Sequence, residues 1–230
     1  MKLVLFDIDG TLLSSEGMGR ASMQRALDEV FGSPGSPAYR YDGKTDRQIV
    51  REVMRLEGHS DDHIDSQMQK LMDIYLDGLR VGARSGKFNV QPLAGVPEVL
   101  DALEARDDVV LGLLTGNIAP GARIKLRAAG IDPKRFRVNA FGSDHEHRPE
   151  LPAIAQRRAS EILGLDIAGE RLVVIGDTPA DIACGRSLGA RSIGVASGHY
   201  TVEQLEEHNP YAALPSLVDT QRVVEVIMDA

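Results

Sequence analysis

Short apolar runs recur along this chain, each stopped by small or acidic residues and then followed by residues at helical spacing, and that pattern leaves few folds open. Leu3 to Phe6 ends at Asp7-Ile8-Asp9-Gly10, and Val109 to Leu114 ends at Thr115-Gly116-Asn117. Arg137 to Phe141, Leu172 to Ile175 and Ser192 to Val195 repeat the pattern, and Tyr211 to Leu214 reads as an edge strand. Runs this short and this apolar suit strands of a parallel sheet buried on both faces. Helical spacing fills the gaps. Val96 to Arg106 places Val96, Val99, Leu100 and Leu103 on one face. Gly121 to Ala129, Pro152 to Leu163 and Ala180 to Leu188 each stop at a glycine, and Thr220 to Met228 closes the chain. The alternation predicts an α/β fold with a Rossmann-like doubly wound parallel sheet.

One stretch breaks the alternation. Between Ser15 and Gln91 the spacing is helical and no strand is convincing: Ala21 to Phe31, Asp46 to Leu56 and Asp61 to Leu79 read as helices, with Asp46 and Asp61 as their starts. The expected organisation is a core of residues 1–14 and 92–230, with residues 15–91 inserted as a second, all-helical, cap-like domain.

The 230 residues suffice for such a core with a smaller companion. With only 4% aromatics and no Trp, aliphatic side chains must fill the interior. A net charge of -8 disfavours nucleic acid and anionic membranes as partners. No stretch approaches the roughly 18 to 20 apolar residues of a membrane span. The single cysteine, Cys184, makes no disulfide within the chain and no Cys-rich metal framework, and it reads as a small buried residue. These features, and a start at Met1 without a signal segment, lead to an expected cytoplasmic location, as a monomer or homodimer.

In open α/β sheets, ligands sit at the carboxyl ends of the strands. The polar residues there are Asp7, Asp9, Gly10 and Thr11 after the first strand, and Thr115, Gly116 and Asn117 after the second. The third leads toward Arg148, and the fourth gives Asp177, Thr178 and Asp181. Carboxylates converging on one crevice repel unless a hard divalent cation neutralises them, and magnesium suits an all-oxygen donor set. Asp7 and Asp177 are the best side-chain ligands, and Asp9 can offer its backbone carbonyl. An ionised Asp7 suits attack on phosphorus. Asp9 is placed to protonate a leaving oxygen and then activate water, with its pKa expected to rise from carboxylate crowding. Thr115, neighbouring backbone N–H groups and a guanidinium can hold phosphoryl oxygens.

At these residues the chain resembles the haloacid dehalogenase superfamily, and within it the phosphoglycolate-phosphatase-like branch with a helical cap. The run from Leu5 to Leu12 fits the first motif, Leu114-Thr115-Gly116-Asn117 the second, and Val174 to Asp181 the fourth. The resemblance implies a Mg2+-dependent phosphomonoester hydrolase acting on a small phosphorylated metabolite. It also implies that Asp7 forms an aspartyl-phosphate, Asp9 is the acid/base, Thr115 binds phosphate, Asp177 holds the metal, and Asp181 supports it directly or through a neighbour. The third motif departs from the family's Lys-Pro, with Arg148-Pro149 in its place; Arg158 is the rival cation. Thr11, Gly116 and Asn117 are expected near the phosphoryl group. Lys44 and Arg47, in Gly43-Lys44-Thr45-Asp46-Arg47, either read the leaving group or are solvated beside a turn. Arg20, just after Gly17-Met18-Gly19, either reaches the same cleft or is a solvated helix start, and the second reading is favoured. Ser143-Asp144-His145-Glu146-His147 reads as a polar surface loop in preference to a zinc site. Two other activities compete: a phosphomutase of the beta-phosphoglucomutase type, and a phosphoacceptor switch module without turnover.

Overall fold

A computed structural model describes residues 1–230. In chain order it contains β1 (Lys2–Phe6), β2 (Leu13–Ser14), α1 (Met18–Phe31), α2 (Asp46–Leu56), α3 (Asp61–Arg84), β3 (Gln91–Pro92), α4 (Val96–Glu104) and β4 (Val109–Thr115). There follow α5 (Ala119–Ala128), β5 (Val138–Phe141), α6 (Leu151–Leu163), β6 (Leu172–Gly176), α7 (Pro179–Cys184), β7 (Arg191–Val195), α8 (Val202–Glu206), β8 (Ala212–Leu214) and α9 (Thr220–Asp229). Six strands form one parallel sheet in the order β5-β4-β1-β6-β7-β8. β1 is central, so its carboxyl end opens between two neighbours at the point where the strand order reverses.

The period of two explains why the strands are apolar throughout. Val4 and Phe6 face a cluster completed by Val99, Leu103, Leu126 and Val226. Leu3 and Leu5 face the other, with Val138, Leu151, Ala155 and Ala159. Both faces of β1 are therefore covered, and each fully buried aliphatic side chain contributes about 1.5–3 kcal/mol.

The helices of the insertion pack on their own apolar cluster, including Met23, Leu27, Val53, Leu71 and Tyr75. Ile118, just before α5, joins it. Three features depart from the sequence expectation here. α2 and α3 start at Asp46 and Asp61 as expected, but the capping side chains are those of Thr45 and Ser60, whose hydroxyls accept from the N–H groups of Gln48 and His63. Helix α3 continues past Leu79 to Arg84: Gly82 lies against the Met18 side chain of α1, so it serves close helix packing and does not break the helix. A two-stranded antiparallel ribbon, Leu13↔Pro92 and Ser14↔Gln91, clasps the chain where it leaves for the insertion and returns. At two residues a strand, it is below what periodicity can detect.

The expected helix over 180–188 is also divided. α7 ends at Cys184, and a separate 3-10 turn covers Arg186–Leu188.

Candidate active site

β1 delivers Asp7 to the centre of the sheet edge. Its backbone N–H donates to the Ile175 carbonyl at 2.9 Å, which extends the ladder by one residue and fixes where the carboxylate emerges. The chain then turns at Gly10, whose φ is 80°. A Cβ there would come within 2.4 Å of an Asp177 oxygen, so only glycine lets the loop pass so close. The carbonyl of Gly10 accepts from Ser197 Oγ at 2.7 Å, which ties the loop to the segment after β7.

Arg148 enters from the turn after β5. It is buried, and its Nη2 lies 3.1 Å from Asp7 Oδ1 while also bonding Asp181 Oδ1. Its Nε is buried without a partner. The rival, Arg158, faces away: it donates to Asp144 and to the Asn139 carbonyl and does not line the cleft. Helix α6 turns that face onto β5.

Asp7, Asp177 and Asp181 are buried and offer oxygens that all lie within 4.8 Å of one another. Burial first, and then mutual repulsion, hold Asp7 and Asp177 above the ordinary carboxylate range; Arg148 partly offsets this at both. Crowded, proton-hungry carboxylates with hard oxygen donors fit a divalent cation such as magnesium. Asp7 and Asp177 have oxygens to give. Asp181 has both committed, Oδ1 to Arg148 and Oδ2 to the Thr178 N–H and hydroxyl at 3.0 and 2.6 Å in a capping box.

Asp9 differs from the expectation. Burial pushes its pKa up, but the Lys125 ammonium and hydrogen bonds from Lys125, Asn117 and Ser15 outweigh it and hold the carboxyl below its usual value. Asp9 Oδ2 accepts from Lys125 Nζ at 2.7 Å and Asn117 Nδ2 at 2.8 Å. Its side chain keeps 39% of its surface open to the cleft. Lys125 was not anticipated as a site residue. It sits on the core-facing side of α5 beside Ala122 and Leu126, and a lysine among buried positions is the signal that would have found it.

The second strand end forms a scaffold. Thr115 Oγ1 accepts from the Asn117 N–H and Nδ2 at 3.3 and 2.8 Å. Gly116 lies under the Lys44 carbonyl, where a Cβ would be 2.1 Å from that oxygen. The Asp46 N–H donates to the Gly116 carbonyl at 2.8 Å, and Asp46 Oδ2 accepts from the Ile118 N–H at 2.8 Å. Thr45 Oγ1 donates to the Glu146 carbonyl at 2.7 Å. The insertion is thus hydrogen-bonded directly onto the second strand end.

Asp7, Asp9, Thr115, Asn117, Lys125, Arg148 and Asp177 line a cleft of about 280 Å³ that also includes Arg20, Tyr41, Lys44, Tyr75 and His199. Two expected members, Thr11 and Arg47, lie off the cleft. Thr11 is fully buried and gives its hydroxyl to Asp177 at 3.2 Å, because the turn at Gly10 swings it under that carboxylate and off the cleft. Arg47, one residue into α2, does not line the cleft. Lys44 does, but its ammonium is held by Glu52 at 2.6 Å. Of the two readings for Arg20, the structure bears out the less favoured one: it reaches the cleft. His145 and His147 bond each other's loop and take no part in it. Burial pushes the Cys184 thiol up to about 12, which makes it an inert packing residue.

A parallel sheet with a carboxylate at the tip of its central strand, a buried arginine against it and an acidic cluster beside it defines a class of phosphoryl-transfer enzymes. The family model for haloacid dehalogenase-like hydrolases matches residues 4–186, and the chain belongs to that family. It is 28% identical to Pyrophosphatase PpaX of Bacillus pumilus, over 96% of this chain and 95% of that protein. To the phosphoglycolate phosphatase of Neisseria meningitidis it is 27% identical, over 86% of this chain and 82% of that one. The crystal structure of a hydrolase from Pseudomonas syringae superposes with a TM-score of 0.75 at 21% identity and covers 98% of each chain. The protein is accordingly an enzyme, a hydrolase of the phosphatase class. No helix is long and apolar enough to cross a membrane.

Proposed function

We propose that this protein is a Mg2+-dependent phosphomonoester hydrolase that transfers the phosphoryl group of a small phosphorylated metabolite to Asp7 and then to water. Residues 1–14 and 92–230 act as the catalytic core, residues 15–91 act as the cap that meets the leaving group, and the cytoplasm is the setting. The observation that carries the reading is the pairing of Asp7 Oδ1 with Arg148 at 3.1 Å beside Asp177.

The residues divide the chemistry as follows. An Asp7 oxygen attacks phosphorus, and the bond from phosphorus to the leaving oxygen breaks as Asp9 donates a proton to that oxygen. In the resting site Asp9 is held ionised by Lys125; a phosphate anion beside it raises its proton affinity and allows it to arrive protonated. Asp9, now a carboxylate, next takes a proton from water, whose oxygen attacks phosphorus and frees Asp7 and inorganic phosphate. Thr115 and Gly116 orient the phosphoryl oxygens, Asn117 orients Asp9, and Arg148 offsets charge on Asp7 and on the group transferred to it. Asp7, Asp177 and the Asp9 carbonyl would hold magnesium, which when bound offsets the repulsion between carboxylate and phosphate. Asp181 keeps Arg148 in place. The names of the relatives, a pyrophosphatase and a phosphoglycolate phosphatase, support a small phosphorylated substrate.

A phosphate-release screen over a metabolite panel, with and without magnesium, tests this. Metal-dependent release that Asp7→Asn abolishes while the fold survives is expected. Release that persists in Asp7→Asn overturns it, and isomerised substrate without free phosphate indicates a mutase instead.

A further inference from the structure

The cations lining the cleft are unequal. Arg148 faces Asp7 and Asp181, Lys125 faces Asp9, Lys44 faces Glu52, and His199 stands 3.8 Å from Asp42. Arg20 has no carboxylate partner. Its Nη2 donates to the Pro37 and Tyr39 carbonyls at 2.7 and 3.0 Å, and its guanidinium stacks on Tyr41 with the carbon 4.5 Å from the ring centroid. These contacts fix the group while Nε and Nη1 find no acceptor in the chain. The nearby acids are already engaged. Asp46 accepts from the Ile118 N–H and the Tyr75 hydroxyl, and Asp42 accepts from Arg40 Nε at 2.8 Å.

The location follows from its neighbour. A Cβ on Gly19 would lie 3.0 Å from Lys125 Nζ, and that nitrogen bonds Asp9. Arg20 follows Gly19 directly on α1 and lines the same cleft as Asp9 and Lys125, the cleft into which the leaving group must project. We infer that Arg20 is a specificity residue that binds a second anionic group, a carboxylate or a second phosphate, on the leaving group. A fixed guanidinium with three free N–H groups on Nε and Nη1, in a cleft whose other cations already face carboxylates, recognises an anion well and a neutral leaving group poorly. This rests on the phosphatase reading above and adds the class of substrate.

Matched esters test it. Phospho-carboxylates of two to four carbons are compared with alkyl phosphates of the same length, and diol bisphosphates form a third arm that tells carboxylate from phosphate. The wild-type enzyme is expected to favour one anionic series in kcat/KM by roughly tenfold to a hundredfold, as for one charge-assisted bond. Arg20→Gln should bring that ratio down toward one, and Arg20→Lys, which keeps the charge, should retain much of it. Loss of the carbonyl bonds alone would lower all esters by the same factor, and that result overturns the inference, as does a wild-type ratio near one. Calorimetry with the same compounds separates the two claims. If no ester is hydrolysed the phosphatase reading fails. The inference then stands only if the anionic compounds bind wild type more tightly than the neutral ones and Arg20→Gln removes the difference.

Discussion

The residues that matter most here are charges held out of water, and each is tolerated for a stated reason. Arg148 is buried between Asp7 and Asp181. Arg148→Lys keeps the charge but gives up the planar fork, so kcat is expected to fall at least tenfold in a steady-state phosphate assay, with a smaller change in KM. Asp46 is pushed up to about 6 by burial, against the attraction of Lys125 and the Ile118 N–H. A raised carboxyl means that the folded chain holds a proton the unfolded chain has already lost, so this group's contribution falls as pH rises from about 4 through 6. Asp46→Asn removes that titration. The stability of the wild type minus that of Asp46→Asn, measured by urea unfolding, should therefore decline over this window by about 2–3 kcal/mol, and a flat difference contradicts the assignment. Sequence motifs placed Asp7, Asp9, Asp177 and Thr115 at strand ends because those positions follow directly from the apolar runs. They did not give Lys125 or the partners of Arg20, since which side chains meet across the cleft depends on how the insertion docks. The pKa of Asp9 was anticipated in the wrong direction for the same reason: its neighbours were counted as carboxylates when the nearest is an ammonium.

At the level of elements, strands and long helices were legible while the joints were not. β1, β4, β6 and β7 are apolar runs that burial on both faces demands, and they appear within a residue or so of their expected limits. The helix expected to end at Leu79 runs on because Gly82 packs against Met18, and β2 with β3 is too short to leave a period. The joint between α2 and the second strand end is the element with most to test. Gly116 lies under the Lys44 carbonyl, so a methyl group there has nowhere to go. Gly116→Ala is expected to displace the 43–46 loop, raise KM severalfold and cost about 1–3 kcal/mol of stability by thermal melting. An unchanged KM would mean that the loop does not position substrate.

For the whole molecule, the acidic cluster links metal, proton and fold. Asp7 and Asp177 stand above the usual carboxylate range, so a cation that binds there must displace protons at mildly acid pH. Magnesium added to metal-free protein should raise the melting temperature, and by more at pH 8 than at pH 5.5. Equal gains at both would place the metal elsewhere. Chelation should abolish turnover, and added magnesium should restore it. The central claim, however, is that phosphorus passes through Asp7. The direct measurement is acid quench of the enzyme during turnover of a phosphate-labelled aryl ester, whose leaving oxygen needs no proton, with Asp9→Asn used to slow the second step, followed by mass spectrometry of the peptide of residues 3–20. The account predicts a hydroxylamine-sensitive phosphoryl group on Asp7 that is absent from Asp7→Asn. Steady hydrolysis with no label on the protein, or label on a different side chain, would contradict it.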